Sequence, residues 1–212
     1  MERLTRHRER GRDARAELDA VLDAGFVATL ATVADGRPWV VPMLYARSGD
    51  RVLLHGSTGA GALQHVADGA PVALCVTHLD GIVVAHSTFD SSANYRSAVV
   101  HGTMERLTGE EAASALDALS NAVIPGRVAE VRSPTAKERA ATVAMALPIL
   151  PGRWTVKVRS GGPGEPDETD EAQDVWCGVV PVAPVYGRPE PAPWSAGPLP
   201  ASVAALVAGD RW

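Results

Sequence analysis

Short apolar runs, each followed by turn residues, dominate the first two thirds of the chain. Within many of these runs apolar and polar residues alternate, and valine and leucine are frequent, as in half-buried strands. The pairs Asp35-Gly36 and Asp80-Gly81 have the composition of tight hairpin turns. The pattern predicts strands over residues 26–33, 39–45, 51–55, 71–77, 82–86, 97–107, 154–159 and 175–185.

Helical periodicity is restricted to a few segments. Gly25 follows the first of them, as expected at a helix C-terminus. Thr108 and Thr135 each precede a glutamate by three residues, which predicts a capping box at both positions. Helices are predicted over residues 12–24, 62–67, 108–121, 135–146 and 201–207. Closely spaced strands and few helices indicate a mainly β fold, in which a mostly antiparallel β-barrel carries flanking helices.

The predicted elements form one domain over residues 12–190. A chain of 212 residues is long enough to bury a core of this kind. Residues 1–11 are charged and are interpreted as a mobile arm. Residues 161–173 are acidic and rich in glycine and proline, which predicts a flexible loop. Residues 191–212 form a proline-rich tail.

Composition excludes several classes of function. The net charge of −5 argues against a nucleic-acid partner, because a phosphate backbone requires a basic face. The sequence contains no apolar run approaching ~18 residues, so a membrane partner is not expected either. The charged N-terminus precedes no apolar segment, which favours a cytoplasmic protein. Cys75 and Cys177 lack metal-ligand spacing and are predicted to be buried thiols, and no histidine pattern indicates a metal site.

Two polar stretches interrupt the apolar pattern and are candidates for chemistry. The segment 56–61 is a glycine- and serine-rich turn between a strand and a helix, which favours either a cradle for an anion or an ordinary capped turn. The segment 94–97 places hydrogen-bonding side chains in a predicted strand. His55, His86 and His101 each end an apolar run, so each is a candidate for a pocket or a haem ligand as well as for a structural role.

Four segments in chain order resemble the pyridoxamine 5'-phosphate oxidase-like, flavin-nucleotide-binding split-barrel family, in its nitroimidazole-resistance-like branch. The resemblance covers residues 12–190. It implies a split β-barrel that forms a homodimer with FMN at the subunit interface. The segments are DGRPWVVPMLY, LLHGSTGAGALQHV, NYRSAVVHGTME and VWCGVVPVAPVYGRPEPAPW.

The resemblance also implies a role for each segment. The second strand contacts the isoalloxazine ring through its backbone, the loop after the third strand holds the phosphate, and the central strand supplies polar groups. Trp176 or Tyr186, near the final strand, closes the site from the partner subunit. The implied cofactor-binding residues are Val40, Val41, Pro42, Met43, His55, Ser57, Thr58, Gly59, Ala60, Tyr95, Arg96, Ser97 and Trp176.

The chain also departs from the family pattern. Between residues 52 and 95 it has no lysine or arginine, so a phosphate in the loop needs a cation from Arg96, Arg127 or Arg132. Val41 stands where the oxidase carries a phosphate-binding arginine, and residues 187–191 replace its substrate pattern. Pyridoxamine 5'-phosphate oxidase activity itself is therefore not predicted.

The leading hypothesis is an FMN-dependent oxidoreductase that acts on an unidentified small molecule, with no assigned catalytic residue. The alternative is a non-catalytic protein that binds or sequesters a flavin or haem. A deazaflavin or haem is the alternative cofactor to FMN, because the loop lacks basic residues.

Overall fold

The computed structural model describes residues 7–59, 61–166 and 174–209. The strands are β1 (Gly11–Arg12), β2 (Val27–Ala34), β3 (Arg37–Ser48), β4 (Arg51–Ser57), β5 (Pro71–Val84), β6 (Ser92–Thr103), β7 (Glu105–Leu107), β8 (Thr142–Pro148), β9 (Trp154–Arg159) and β10 (Gly178–Pro181). The helices are α1 (Arg15–Asp23), α2 (Gly61–Ala67), α3 (Gly109–Val123), α4 (Ala136–Ala140) and α5 (Ala201–Val207). Single 3₁₀ turns cover Arg8–Arg10 and Arg127–Glu130.

The strands form one sheet that closes on itself. Their order is β1-β9-β6-β5-β2-β3-β4-β8-β7, with β10 beside β5, and the paired strands are antiparallel. β6 lies near one end of this order and β7 at the other, yet Met104 alone separates them in the chain. The molecule is therefore a split β-barrel with flanking helices, as predicted.

The barrel interior is apolar, and helices cover its end and one outer face. Inward-facing side chains of the strands, such as Leu30, Leu54 and Leu74, are fully buried. α1 contributes Leu18, Val21 and Leu22 to the same core. α3 packs on the outer face of β4 and β8, where it covers a second apolar cluster. The end of β3 also lies under α3, while outward side chains of β2 and of the first half of β3, such as Val33 and Val40, remain exposed.

Tyr45 joins the barrel to α1, and its loss is expected to destabilise the fold. Its ring is fully buried, and its hydroxyl donates a 2.6 Å hydrogen bond to the carbonyl of Leu22. Burial raises the pKa of the Tyr45 phenol, so the group stays neutral. We expect Tyr45→Phe to lower the free energy of unfolding by about 1–3 kcal/mol, because the Leu22 carbonyl loses its partner in a dry site. Urea unfolding measures this, and Tyr95→Phe, on the outer face of β6, is the matched control.

The predicted hairpin at Asp80-Gly81 is wrong. β5 runs without a break from Pro71 to Val84 and pairs along its length with β6. The register shifts between Leu79 and Gly81, so the Asp-Gly pair produces a bulge rather than a turn. A valine in β10 lies 3.0 Å from the place where a side-chain carbon would stand on Gly81. This glycine therefore allows β10 to approach β5.

The predicted helix over residues 135–146 is also wrong in its second half. α4 ends at Ala140, and Thr142–Pro148 form β8, which pairs with β4 and β7. Val143 to Leu147 are all buried, on both faces of the strand. A short continuous apolar run is compatible with either a buried helix or a buried strand, so its periodicity carries no signal.

Smaller differences concern element ends and the two cysteines. The last strand is shorter than predicted, Gly178–Pro181. Neither cysteine is buried as predicted, because Cys177 is exposed and Cys75 is partly exposed. Thr135 and Glu138 form the expected capping box, whereas the Thr108 side chain makes no cap bond. Within the predicted arm, Gly11 pairs with β9, while residues 1–6 lie outside the described part.

Candidate functional site

The first half of β3 has one open edge. Residues Arg37–Leu44 pair with β2 on one side, while pairing with β4 begins only at Tyr45. No strand in the described ranges pairs with the other edge of this segment. Backbone N–H and C=O groups along a free strand edge are available to a ligand or another chain. We call this segment the open edge of β3.

The side chains of the open edge divide between two faces. Val40 and Pro42 point outward and are exposed, whereas Val41 and Met43 pack against the barrel core. Of the predicted ring-binding residues, two therefore offer side chains to a ligand. All four remain candidates for backbone contacts, as the resemblance implies.

A groove of about 660 Å³ begins where the open edge ends. Its floor contains Leu44, His55 and Thr142, and α3 forms one apolar wall. The opposite wall carries Arg127, Arg132 and Arg139, after which we name it the arginine groove. Its volume is within the range of small-molecule sites, which is about 300–1,000 Å³.

Two of the groove arginines are already paired with carboxylates. Arg127 Nη1 lies 3.2 Å from Glu130 Oε2. Arg132 binds Glu138 in a bidentate arrangement, with distances of 2.8 and 2.7 Å. Arg139 donates to the carbonyl of Pro134 and forms no ion pair with any residue in the described part. The wall thus keeps a net positive charge, and Arg139 supplies the cation without a carboxylate partner there.

Glu138 is expected to titrate far below its ordinary range. The Arg132 side chain, followed by the backbone and side chain of Thr135, lowers the pKa of Glu138 from 4.5 to about 2. A lowered pKa means that the interaction is complete above about pH 4.5 and is lost as the pH falls through 2. A carboxyl NMR titration measures the midpoint. Arg132→Ala should move the midpoint up towards 4.5, and an unmoved midpoint contradicts this origin of the shift.

In the loop at residues 57–59, two backbone N–H groups already donate hydrogen bonds to other protein atoms. The Thr58 N–H donates to the carbonyl of Ala141 at 3.1 Å. The Gly59 N–H donates to the Ser57 hydroxyl at 3.2 Å, and the side chain of Gln64 binds the Thr58 carbonyl. These bonds stabilise a strand-to-helix turn, the more ordinary of the two interpretations of this sequence. Ala60 lies outside the described residues.

The central strand distributes its predicted site residues over two faces. Tyr95 and Ser97 face outward beside Leu79 and Thr77 of β5. Arg96 points to the other face and binds Asp80 in a bidentate ion pair at 2.9–3.2 Å. Arg96 does not line the arginine groove, so Arg127 and Arg132 are the predicted substitute cations that the structure brings to His55.

The remaining predicted residues lie away from the groove. Trp176 precedes β10 and is 65% exposed, which leaves its indole available to another molecule. His101 is exposed on β6, and His86 lies 3.4 Å from Asp90. His55 is exposed within the groove, so it is the histidine that shares a site with the arginines.

Sequence reasoning missed Arg139. Its position follows from β8, because Thr142 pairs with Ser57 and brings the end of α4 beside the loop after β4. The sequence signal is the capping box at Thr135, which predicts a helix start, because the apolar run that follows it is compatible with a continuation of that helix. Recognising that run as a strand would have placed Arg139 near His55.

Two further features are absent from the described residues. Among the described residues no helix is both long and apolar enough to cross a membrane. The same residues contain no cluster of three or more histidine, cysteine or acidic side chains suited to a metal ion.

Comparison with known proteins defines the class to which this fold and site belong. Residues 14–158 match the pyridoxamine 5'-phosphate oxidase family. The match covers most of the barrel, from before α1 to β9, and the chain belongs to this family. A search of curated proteins gave no match.

Solved structures provide more specific similarities. The FAD and haem binding protein from Mycobacterium smegmatis is 46% identical, with a TM-score of 0.88 over 93% of this chain and 97% of that one. The flavocytochrome Anf3 from Azotobacter vinelandii is 32% identical, with a TM-score of 0.87 over 96% and 94%. A proposed 5-nitroimidazole antibiotic resistance protein from Bacteroides thetaiotaomicron is 18% identical, with a TM-score of 0.58 over 70% and 86%, and shares the fold.

Proposed function

We propose that this chain binds a flavin nucleotide, with the ring system along the open edge of β3 and the phosphates in the arginine groove. The observation that carries the proposal is that Leu44 ends the open edge of β3 and also lines the arginine groove, so the two features adjoin. A free strand edge offers the backbone donors and acceptors that the polar edge of a flavin requires. The groove adjoining it offers arginine, which binds phosphate through charge-assisted and often bidentate bonds.

The groove supports FAD as the cofactor in preference to the FMN expected from the sequence. FAD carries two phosphates, and the arginine groove has three cations in a volume of about 660 Å³. The relative at 46% identity is described as an FAD and haem binding protein. FMN, with one phosphate, is the second choice, and a deazaflavin is the third.

The uncovered outer face of the barrel supports a homodimer as the binding unit. Val27, Val33, Val40 and Leu44 lie on adjacent strands and are between 41% and 61% exposed. A contiguous exposed apolar face of this kind is unusual on a monomer and marks an interaction surface. A second copy would cover the face beside the open edge, and its Trp176 is available to complete the site.

The proposed reaction class is oxidoreduction of a small molecule. A bound flavin supplies hydride or electron transfer, and the protein binds and orients it. His55 lines the groove and directly follows Leu54, which pairs with Tyr45 of β3, so its imidazole lies beside the end of the open edge as a candidate proton donor or acceptor. A non-catalytic flavin carrier remains the alternative, and turnover distinguishes the two.

The test is a titration of the purified full-length chain with FAD, FMN and riboflavin. We expect FAD to bind most tightly and riboflavin, which lacks phosphate, most weakly. Turnover with NADH or NADPH and an artificial acceptor would support the oxidoreductase, whereas flavin binding without turnover would support the carrier. A protein that takes up none of the three flavins contradicts the proposed function.

Haem binding is the second candidate. It is favoured by the descriptions of the two relatives, one an FAD and haem binding protein and the other a flavocytochrome. On this chain His55 is exposed in a groove with an apolar wall, a suitable setting for an axial ligand. Haem addition should give a Soret band that is lost in His55→Ala and kept in His101→Ala. A band that survives in both variants contradicts the assignment.

A further inference from the structure

Helix α5, near the end of the described residues, is attached to the wall of the arginine groove by one carboxylate. Glu130 lies in the 3₁₀ turn Arg127–Glu130, directly before Val131 and Arg132 of the groove wall. Its Oε1 accepts the Ser202 N–H at 2.9 Å, and its Oε2 accepts the Ser202 hydroxyl at 2.5 Å. Ser202 is the second residue of α5 and is 5% exposed.

The same carboxylate binds a cation of the groove. Glu130 Oε2 also accepts from Arg127 Nη1, at 3.2 Å. Glu130 therefore connects α5 on one side with a groove arginine on the other. The hydroxyl of Ser202, followed by its backbone N–H, lowers the pKa of Glu130, so the carboxylate is ionised at neutral pH.

Among the described residues, the segment between β10 and α5 has few other attachments. Val182 donates its N–H to the Asp80 carbonyl at 3.1 Å, beside the end of β5. Between this bond and Ser202, apolar side chains are highly exposed, including Val185 at 89% and Trp194 at 85%. The Glu130–Ser202 contact is thus the polar anchor at the far end of a long, weakly packed segment.

We propose that Glu130 is a positioning residue, which uses α5 to hold the 3₁₀ turn in place and so fixes Arg127 for a phosphate in the arginine groove. This inference rests on the proposed flavin site and adds a determinant for its phosphate end. A guanidinium whose position is fixed before binding loses less conformational entropy when it binds phosphate. Release of α5 should therefore weaken phosphate recognition without affecting the ring end.

The first test compares flavins that differ in phosphate content. In Ser202→Ala we expect the Kd values of FAD and FMN to rise about threefold to tenfold, the range for partial loss of one charge-assisted contact, with riboflavin unchanged. Ser202→Thr keeps the hydroxyl and should restore affinity. Ser195→Ala, an exposed serine of the same segment, is the matched control. Equal weakening of all three flavins, or no weakening, overturns the proposal.

The second test does not depend on flavin. Hydrogen exchange of the backbone amides of residues 127–131 should be faster in Ser202→Ala than in the native chain or in Ser195→Ala. Unchanged exchange overturns the role of α5, whether or not flavin binds. If the native chain binds no flavin and Ser202→Ala still shows the faster exchange, the proposed function and the role of Glu130 in phosphate recognition are overturned, and α5 remains the anchor of the turn.

Discussion

Arg139→Ala weakens FAD binding by roughly tenfold to a hundredfold, because it removes a charge-assisted contact of about 1.5–3 kcal/mol. Arg139 lines the groove and forms no ion pair with the described residues, so its full charge is available to a phosphate. Arg127 and Arg132 must share their charge with Glu130 and Glu138. Flavin fluorescence quenching or calorimetry measures the change, and riboflavin should be unaffected.

Matched variants separate a phosphate effect from a general loss of positive charge. Arg139→Lys keeps the charge and should retain most of the affinity. Arg188→Ala removes an exposed arginine after β10 and should have no effect. Glu138→Gln preserves the capping box, since glutamine also serves at this position, and removes a carboxylate from the groove. FAD should then bind more tightly, and weaker binding would contradict phosphates in this groove.

Most of the fold follows from the pattern of predicted strands. β2, β3 and β4 alternate buried and exposed residues or end at clear turn residues, so their order and antiparallel pairing followed from the sequence. β8 did not, because it is buried on both faces and lacks a period. The Asp80-Gly81 pair predicts a turn where the structure has a bulge, since the same residues suit both.

The sequence predicts the part of the candidate site that lies on strands, but it does not predict the position of the arginines that lie on the connecting segments and α4. Val40 to Met43 lie on β3, and His55 lies on β4, and these two strands are neighbours in the sheet. The arginines of the groove come from the 3₁₀ turn, the segment after it and α4, which are brought to His55 only by the packing of α3 and the pairing of β8. Sequence spacing alone gives no measure of such proximity.

Val40→Glu is expected to convert the proposed homodimer to a monomer. Val40 is 61% exposed on the outer face of β3, opposite Ala31 of β2. A two-fold dimer uses the same surface on both subunits, so Val40→Glu would place two carboxylates in the apolar interface. An uncompensated buried charge costs roughly 3–5 kcal/mol, which raises the dimer Kd more than a hundredfold. Sedimentation velocity at micromolar concentration measures the shift.

Flavin binding should fall together with the dimer if the partner completes the site. Leu150→Glu is the matched control, because Leu150 is 53% exposed but lies in the turn after β8. That variant should remain dimeric and bind FAD normally. A Val40→Glu monomer that binds FAD as tightly as the native chain would place the whole site within one subunit. A Val40→Glu dimer would show that this apolar face is not the interface, and the open edge of β3 would then need another partner to cover it.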